Sequence, residues 1–299
     1  MPDSLPDLDE LLISWLLTLR AQRKSPSTIK VYRSGVTSFL NFCEAQGLSR
    51  ALTKLHVIEY MASLADGEPA TGRARLSALK LFARWLADEE GFDADPILAV
   101  RPPKLDDRAV ASLSDAEVRR LVKACEGAAL RDKRDKAMVV LFAETGLRAA
   151  ELLALDVADV DLISCVLHVR RGKGGKGRRV KFSAACAAIL DRYARARRTA
   201  GNPAGSGPLW VGPRGALSYT GMSHTLKARA AAAGVHGFHV HRLRHTAAVR
   251  WLKSGGSETG LMAQSGWKSR VMVDRYVKSS AEELAAEEFD RLGIGITEL

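Results

Sequence analysis

The chain is poor in several features that would direct it toward other chemistries. Only four cysteines occur in 299 residues, Cys43, Cys125, Cys165 and Cys186. They lie far apart with no C-x-x-C pair, in a chain too large to need staples, so reduced thiols are expected. No apolar run approaches the ~18–20 residues of a membrane span. The best candidate, Leu11 to Leu19, is broken by Ser14 and Thr18. The N-terminus, Met1 to Asp7, is acidic where a secretory signal would be basic. A soluble, cytoplasmic protein is the expectation. No internal repeat is found, and no nucleophilic-serine, paired-carboxylate or catalytic-cysteine arrangement. The glycine-rich Arg171-Gly-Lys-Gly-Gly-Lys-Gly177 lacks the G-x-x-x-x-G-K-[ST] spacing of a phosphate loop, which excludes that mode of nucleotide binding.

What is present is positive charge, and it is concentrated. The net charge is +11, yet residues 1–100 sum to −2, residues 170–280 to +19 and the last nineteen to −5. A surplus so localised builds a field whose usual partner is a polyanion, although a solvated basic surface would carry the same charge. The near-neutral N-terminal region also segregates its charge. Five bases and no acid lie between Arg20 and Arg33 (among them Arg23, Lys24, Lys30), and four bases and no acid between Arg73 and Arg84 (among them Arg75, Lys80).

A length of 299 residues suggests two domains. The first hundred residues read as helical. Ser25-Pro26 has the form of an N-cap with proline at the first helical position, and Gly47 closes the segment. Between them Ile29, Tyr32, Val36, Phe39, Leu40 and Cys43 form one apolar stripe. A second helix is predicted over 71–88, with Leu76, Leu79, Phe82 and Leu86 facing inward. The Pro96 to Val110 stretch, with its Arg101-Pro-Pro-Lys104 core, breaks the helical pattern and reads as a linker. Ser114 with Glu117 reads as a capping box opening a second helical region. The segments 164–170 and 178–182 then alternate around the glycine-rich tip, predicting a hairpin. Helices resume at Ala184, with a break from Pro203 to Pro213.

Four elements carry candidate chemistry. Thr145-Gly-Leu-Arg148 turns into a new helix with Glu151 one turn from Arg148. Lys173 sits on the hairpin tip. His241-Arg-Leu-Arg244-His245 puts His241 and Arg244 on one helical face. Gly266-Trp267 is followed nine residues later by Tyr276. Singly, each has a plain structural reading: Arg148 as a surface residue, Trp267 as core, Tyr276 as a packed aromatic like Tyr32, Tyr60, Tyr193 and Tyr219. The histidines His236, His239, His241 and His245 could in principle bind zinc, but no H-E-x-x-H is present and the adjacent arginines would repel a cation.

In order, spacing and residue type together, these elements resemble the tyrosine recombinase (phage integrase) family, in particular its Xer-like and small integrase branches. The match is strong over the C-terminal two thirds and weaker before it. The resemblance implies a mainly α fold with a small β component: a helical, SAM-like core-binding domain over 1–98, a linker over 99–112 and a mixed α/β catalytic domain over 113–299. It implies that Arg148 and Arg244 bind the scissile phosphate, Tyr276 is the nucleophile, His241 an acid–base group, Lys173 the general acid and Trp267 a hydrogen-bond donor where the family often has histidine. An indole N–H can donate to phosphate but cannot shuttle a proton. Glu151 and His245 take supporting roles. DNA contacts are expected from Arg23, Lys24, Lys30, Arg33, Arg73, Arg75, Lys80, Lys176, Arg178 and Arg179.

The implied activity is site-specific recombination through a 3′-phosphotyrosine intermediate and a Holliday junction, with no metal, ATP or other cofactor. The implied partners are duplex DNA with inverted-repeat core sites, a second protomer on each site, a tetramer in the synapse and a directionality factor. A type IB topoisomerase or a catalytically silent DNA-binding regulator are the alternatives. The resemblance also implies a chain that starts at the core-binding region, so the arm-binding domain of larger integrases is expected to be missing. Its acidic tail, 281–299, carries an apolar stripe (Leu284, Ala285, Phe289, Leu292) and is expected to dock on a neighbouring protomer, the alternative being its own domain.

Overall fold

The computed structural model describes residues 7–104, 111–170, 177–267, 269–271, 273–274 and 281–293. The chain divides into two compact units, Met1–Arg108 and Ala109–Leu299.

In the first unit the helices are α1 (Leu8–Ala21), α2 (Pro26–Ala45), α3 (Lys54–Ser63), α4 (Pro69–Glu90) and a single turn, α5 (Asp95–Leu98). Ser25 caps α2 by accepting from the Thr28 N–H at 3.1 Å, with Pro26 at the first helical position. The expected stripe is inside: Val36, Phe39, Leu40 and Cys43 pack on Leu76, Leu79, Phe82 and Leu86 of α4. The two helices cross closely at Gly35, where an added Cβ would stand 2.6 Å from the Ala78 Cβ. The segment read as linker from Pro96 differs from expectation at its start, because Asp95-Pro96 opens α5 and buries Ile97 in this core.

The second unit contains α6 (Asp115–Lys123), α7 (Leu130–Thr145), α8 (Ala149–Leu153), α9 (Ala184–Thr199), α10 (Tyr219–Ala232), α11 (His241–Lys253), α12 (Glu258–Ser265) and α13 (Ala281–Leu292). Its antiparallel sheet has the order β1 (Val160–Asp161), β2 (Val166–Val169), β3 (Arg178–Lys181). The pairing Val166↔Lys181 to Val169↔Arg178 is the expected hairpin. The two-residue strand β1 and a second small hairpin, β4 (Val211–Gly212) with β5 (Gly215–Ala216), were not foreseen, being too short for period-two alternation to register. Ser114 and Glu117 form the capping box, each accepting from the other's backbone N–H at 3.2 and 2.8 Å.

In the core of this unit Tyr193 of α9 stacks on Trp210, whose Nε1–H donates to the Leu152 carbonyl at 2.8 Å. Of the four tyrosines read as packed, Tyr60 and Tyr193 are buried and Tyr32 is half-buried. Tyr219 is 55% exposed at the head of α10, which corrects that reading. The four cysteines are unpaired. No helix among the described residues is long and apolar enough to cross a membrane.

Candidate active site

The site assembles around two helix ends. Helix α7 stops at Gly146, which takes the left-handed conformation (φ 59°) that a residue with a Cβ resists, and α12 stops in the same way at Gly266 (φ 67°). A helix C-terminus leaves carbonyls without intrahelical partners and carries partial negative charge. Three arginines answer it. Arg148 donates from Nη2 to the Gly266 carbonyl at 2.9 Å. Arg244, 3% exposed on the first turn of α11, donates to the Gly146 carbonyl and, at 3.1 Å, to that of Ser265. Arg178, at the start of β3, donates from Nε to the Gln264 carbonyl at 3.2 Å.

Glu151 ties this cluster together. Its Oε2 accepts the Arg148 backbone N–H at 2.9 Å and Arg178 Nη2 at 2.8 Å. Its Oε1 accepts Nη1 of Arg148 and Nη1 of Arg178, each at 2.9 Å. Burial alone would push this carboxyl up. The hydrogen bonds and charge of Arg178 and Arg148 outweigh it and hold the pKa down to about 2. Glu151 is therefore a carboxylate at any working pH, fixed by four hydrogen bonds.

Beside the arginines lie two histidines of α11. The rings of His241 and His245 meet edge to face, 4.8 Å between centroids, with His245 buried. Loss of water around the His241 ring, then the positive charges of Arg244 and His239, push its pKa below the usual imidazole value. At neutral pH it is an uncharged base. Trp267, directly after the Gly266 turn, is buried against Ala248 and Leu261, and the Arg244 guanidinium lies 5.1 Å from its ring centre. Among the described residues no three of His, Cys, Asp and Glu gather as a metal cluster.

Arg148, Glu151, His241, Arg244, His245 and Trp267 thus come together. Lys173 and Lys176 on the hairpin tip, and Tyr276, lie outside the described residues. Of the bases expected to contact DNA, Arg23, Lys24, Lys30, Arg33, Arg73 and Arg179 are exposed. Three others are engaged with the protein. Arg75 donates to the Ser38 and Tyr60 hydroxyls at 2.7 and 3.0 Å, and Lys80 to the Leu98 carbonyl at 2.7 Å. Arg178, with its side chain only 14% exposed, is turned inward onto Glu151, because a buried carboxylate binds the guanidinium fork better than solvent does. Sequence reasoning missed that role, which a position beside a lysine-rich tip disguises. It also missed Arg242, which donates to the Ala111, Ser112 and His236 carbonyls.

Comparison with known proteins shows the family. Residues 111–283 match the phage integrase family model, and residues 11–91 the N-terminal SAM-like domain of phage integrases. A tyrosine recombinase XerD of Ralstonia nicotianae is 32% identical, over 77% of this chain and 76% of its own. A tyrosine recombinase XerC of Xanthomonas campestris pv. campestris is 30% identical, over 91% of this chain and 84% of its own. The fold also resembles that of a lambda integrase fragment solved as a dimer on a COC′ core site, with a TM-score of 0.72 at 18% identity, covering 90% of this chain and 94% of that one. The chain belongs to the phage integrase family, the site-specific DNA recombinases that use a tyrosine. Within that family it is similar to Xer-type tyrosine recombinases.

Proposed function

We propose that this recombinase cuts and rejoins duplex DNA through Tyr276, with Arg148 and Arg244 holding the scissile phosphate. The observation that carries the reading is the pair of guanidiniums anchored on adjacent carbonyls, Gly266 for Arg148 and Ser265 for Arg244, beside a neutral His241. Fixed, permanently charged donors stabilise the negative charge that builds on the non-bridging oxygens as phosphorus is attacked. The Tyr276 oxygen would bond to phosphorus as its proton passes toward His241. The bond to the 5′-oxygen breaks, and Lys173 supplies the proton that this oxygen takes up. The 3′-phosphotyrosine conserves the energy of the broken bond. A 5′-hydroxyl from the partner duplex reverses the step and forms a Holliday junction. The Trp267 indole N–H takes the place of a donor to the phosphate, which leaves proton movement to His241 and Lys173.

In this reading residues 1–98 form the core-binding domain, 99–112 the linker and 113–299 the catalytic domain. The exposed Lys30 and Arg33 border the Ser34–Asn41 face of α2 and contribute phosphate contacts, joined by the exposed Arg73 of α4. The lambda integrase dimer on a core site supports two protomers per inverted-repeat site, and the lambda integrase tetramer on a Holliday junction supports four in the synapse. The working compartment is the cytoplasm.

The test is covalent capture. The full chain is incubated in EDTA with a pool of random-sequence duplexes carrying a nick, and adducts that survive denaturation are sequenced. An adduct with a common inverted-repeat sequence is expected, and Tyr276→Phe should abolish it while leaving DNA binding intact. An adduct that persists in Tyr276→Phe would refute the nucleophile, and loss of all adducts on chelation would refute metal independence. Relaxation of plasmid without joining of separate duplexes would favour a topoisomerase.

A further inference from the structure

We infer that Arg178 is a positioning residue of the recombination reaction, fixing Glu151 and, through it, the Arg148 guanidinium, and that it does not contact DNA. The inference rests on the role proposed above for Arg148. Arg178 meets Glu151 with two parallel bonds, Nη1 to Oε1 at 2.9 Å and Nη2 to Oε2 at 2.8 Å. This is the same two-pronged geometry with which an arginine would grip a phosphate, so the prongs are already occupied. The remaining edge of the guanidinium faces the end of α12, with Nε on the Gln264 carbonyl at 3.2 Å and Nη2 also 3.4 Å from that of Ser265.

A separate feature points the same way. Gly266 leaves open the space that the guanidinium fills, since a Cβ there would stand 2.7 Å from Arg178 Cζ and Nη1. A side chain that merely swept solvent beside DNA would not need that room. The bonding pattern then gives the route of action. Both oxygens of Glu151 are shared between Arg178 and Arg148, so each oxygen that Arg178 fixes is one that orients Arg148. Without Arg178 the carboxylate could turn about its last bond, and the half-buried Arg148 would follow it. Charge is consistent with this. The groups facing Glu151 are Arg148 from the head of α8 and Arg178 from β3, whereas Arg244 on α11 is directed to Gly146 and Ser265. One carboxylate could be satisfied by one arginine. Two leave the cluster net positive where a phosphate would enter.

The experiment uses the full chain and the duplex recovered by covalent capture. Arg178→Ala, Arg178→Lys, Glu151→Gln and the double variant Arg178→Ala/Glu151→Gln are compared for salt-dependent binding and single-turnover cleavage. A positioning residue predicts unchanged affinity and an unchanged slope of log affinity against log salt. Cleavage by Arg178→Ala should fall on the order of 10²-fold, the usual effect of a reacting group set about an ångström out of place. Arg178→Lys should recover part of it. In the Glu151→Gln background the further loss should shrink to less than about threefold, because the route is already broken.

The pH profile adds a reading that simple loss of stability would not move. Arg178→Ala removes two of the bonds that hold Glu151 down while its burial remains, so the acid limb of cleavage should shift to higher pH. A salt slope shallower by ~0.9 would make Arg178 a phosphate contact and overturn the inference. So would independent, multiplicative losses in the double variant. Should Arg178→Ala fail to fold, Arg178→Gln, which also removes the charge, decides by the same two measurements, salt slope and cleavage rate. Failure of the wild-type chain to form any adduct would instead strike the catalytic reading itself.

Discussion

Placing a methyl group on Gly266 tests the helix-end design directly. Two effects separate cleanly. Gly266 has φ 67°, and an L-residue in that conformation costs roughly 1 kcal/mol. Gly234 of the same unit has φ 63° and nothing within 4 Å of an added Cβ, so Gly234→Ala measures that backbone effect alone. At Gly266 the methyl would also sit 2.7 Å from the Arg178 guanidinium, and relief requires a shift of about 0.7 Å to reach ordinary contact. A shift of that size carries the bonds to Glu151, now 2.8 and 2.9 Å, toward or past the limit of hydrogen bonding. Weakening two charge-assisted bonds, each ~1.5–3 kcal/mol with part recovered from water, adds about 2–4 kcal/mol. Gly266→Ala should therefore destabilise the second unit by roughly 3–5 kcal/mol against about 1 for Gly234→Ala. Urea unfolding of that unit, followed by far-ultraviolet circular dichroism, reads the difference, and single-turnover cleavage should collapse only for Gly266→Ala. Equal stabilities and equal cleavage in the two variants would refute the reasoning, because the guanidinium would then be free to move aside.

Asp135, fully buried, accepts from Arg134, Arg229 and Thr225 at 2.7–3.1 Å, so Asp135→Asn should cost ~3–5 kcal/mol by leaving the buried Arg134 without a counter-charge; a loss under 1 kcal/mol in urea unfolding would contradict this. His241 and His239 both have folded pKa values below the ordinary 6.5, so the unfolded chain binds more protons once pH drops below about 6.5 and stability falls there. Replacing both with glutamine should flatten that part of the stability–pH curve, and an unchanged slope would count against the shifts. Helix α13 lies against α11 of its own chain, where the Arg291 guanidinium faces Gly255, yet Phe289 and Leu292 remain 52% and 58% exposed. Truncation after Ser280 should leave single-site DNA binding intact and weaken cooperative pairing; a truncated chain that pairs and recombines normally would show that this apolar face serves no neighbouring protomer.

Much of this arrangement is legible in the sequence, and the reasons are local. Ser25-Pro26, the stripe from Ile29 to Cys43 and the Ser114–Glu117 box specify helices with short-range signals, and each helix forms there. The pairing of Arg148 with Glu151 is likewise one turn apart and visible as such. What escapes is long-range bonding of charged side chains. Nothing in the spacing marks Arg178 as the partner of Glu151, 27 residues earlier, or Arg244 as a donor to the Gly146 carbonyl, 98 residues earlier. Read from charge alone, each is simply another base in a strongly basic region.

The same limit explains why the basic surplus overstates the DNA-binding surface. Chain turns and helix ends leave carbonyls that the backbone cannot satisfy, and a guanidinium brings five donors on one long stem. In the second unit this is a repeated solution. Arg197 donates to the carbonyls of Pro203, Ser206 and Pro208, Arg229 to that of Ala124 at the end of α6, and Arg134 to that of Val211. Arg242 closes the entry to the unit at Ala111 and Ser112 in the same way. Part of the positive charge is therefore internal scaffolding that joins segments distant in sequence. At the proposed active site the scaffold and the proposed phosphate-binding groups use one residue type. Arg178 and Arg244 both bind the end of α12, and Arg148 binds the turn that follows it. A group that must present a permanent charge to phosphate in one orientation is best held by bonds that leave part of its fork free, and the carbonyls at the end of a helix provide them without neutralising the charge.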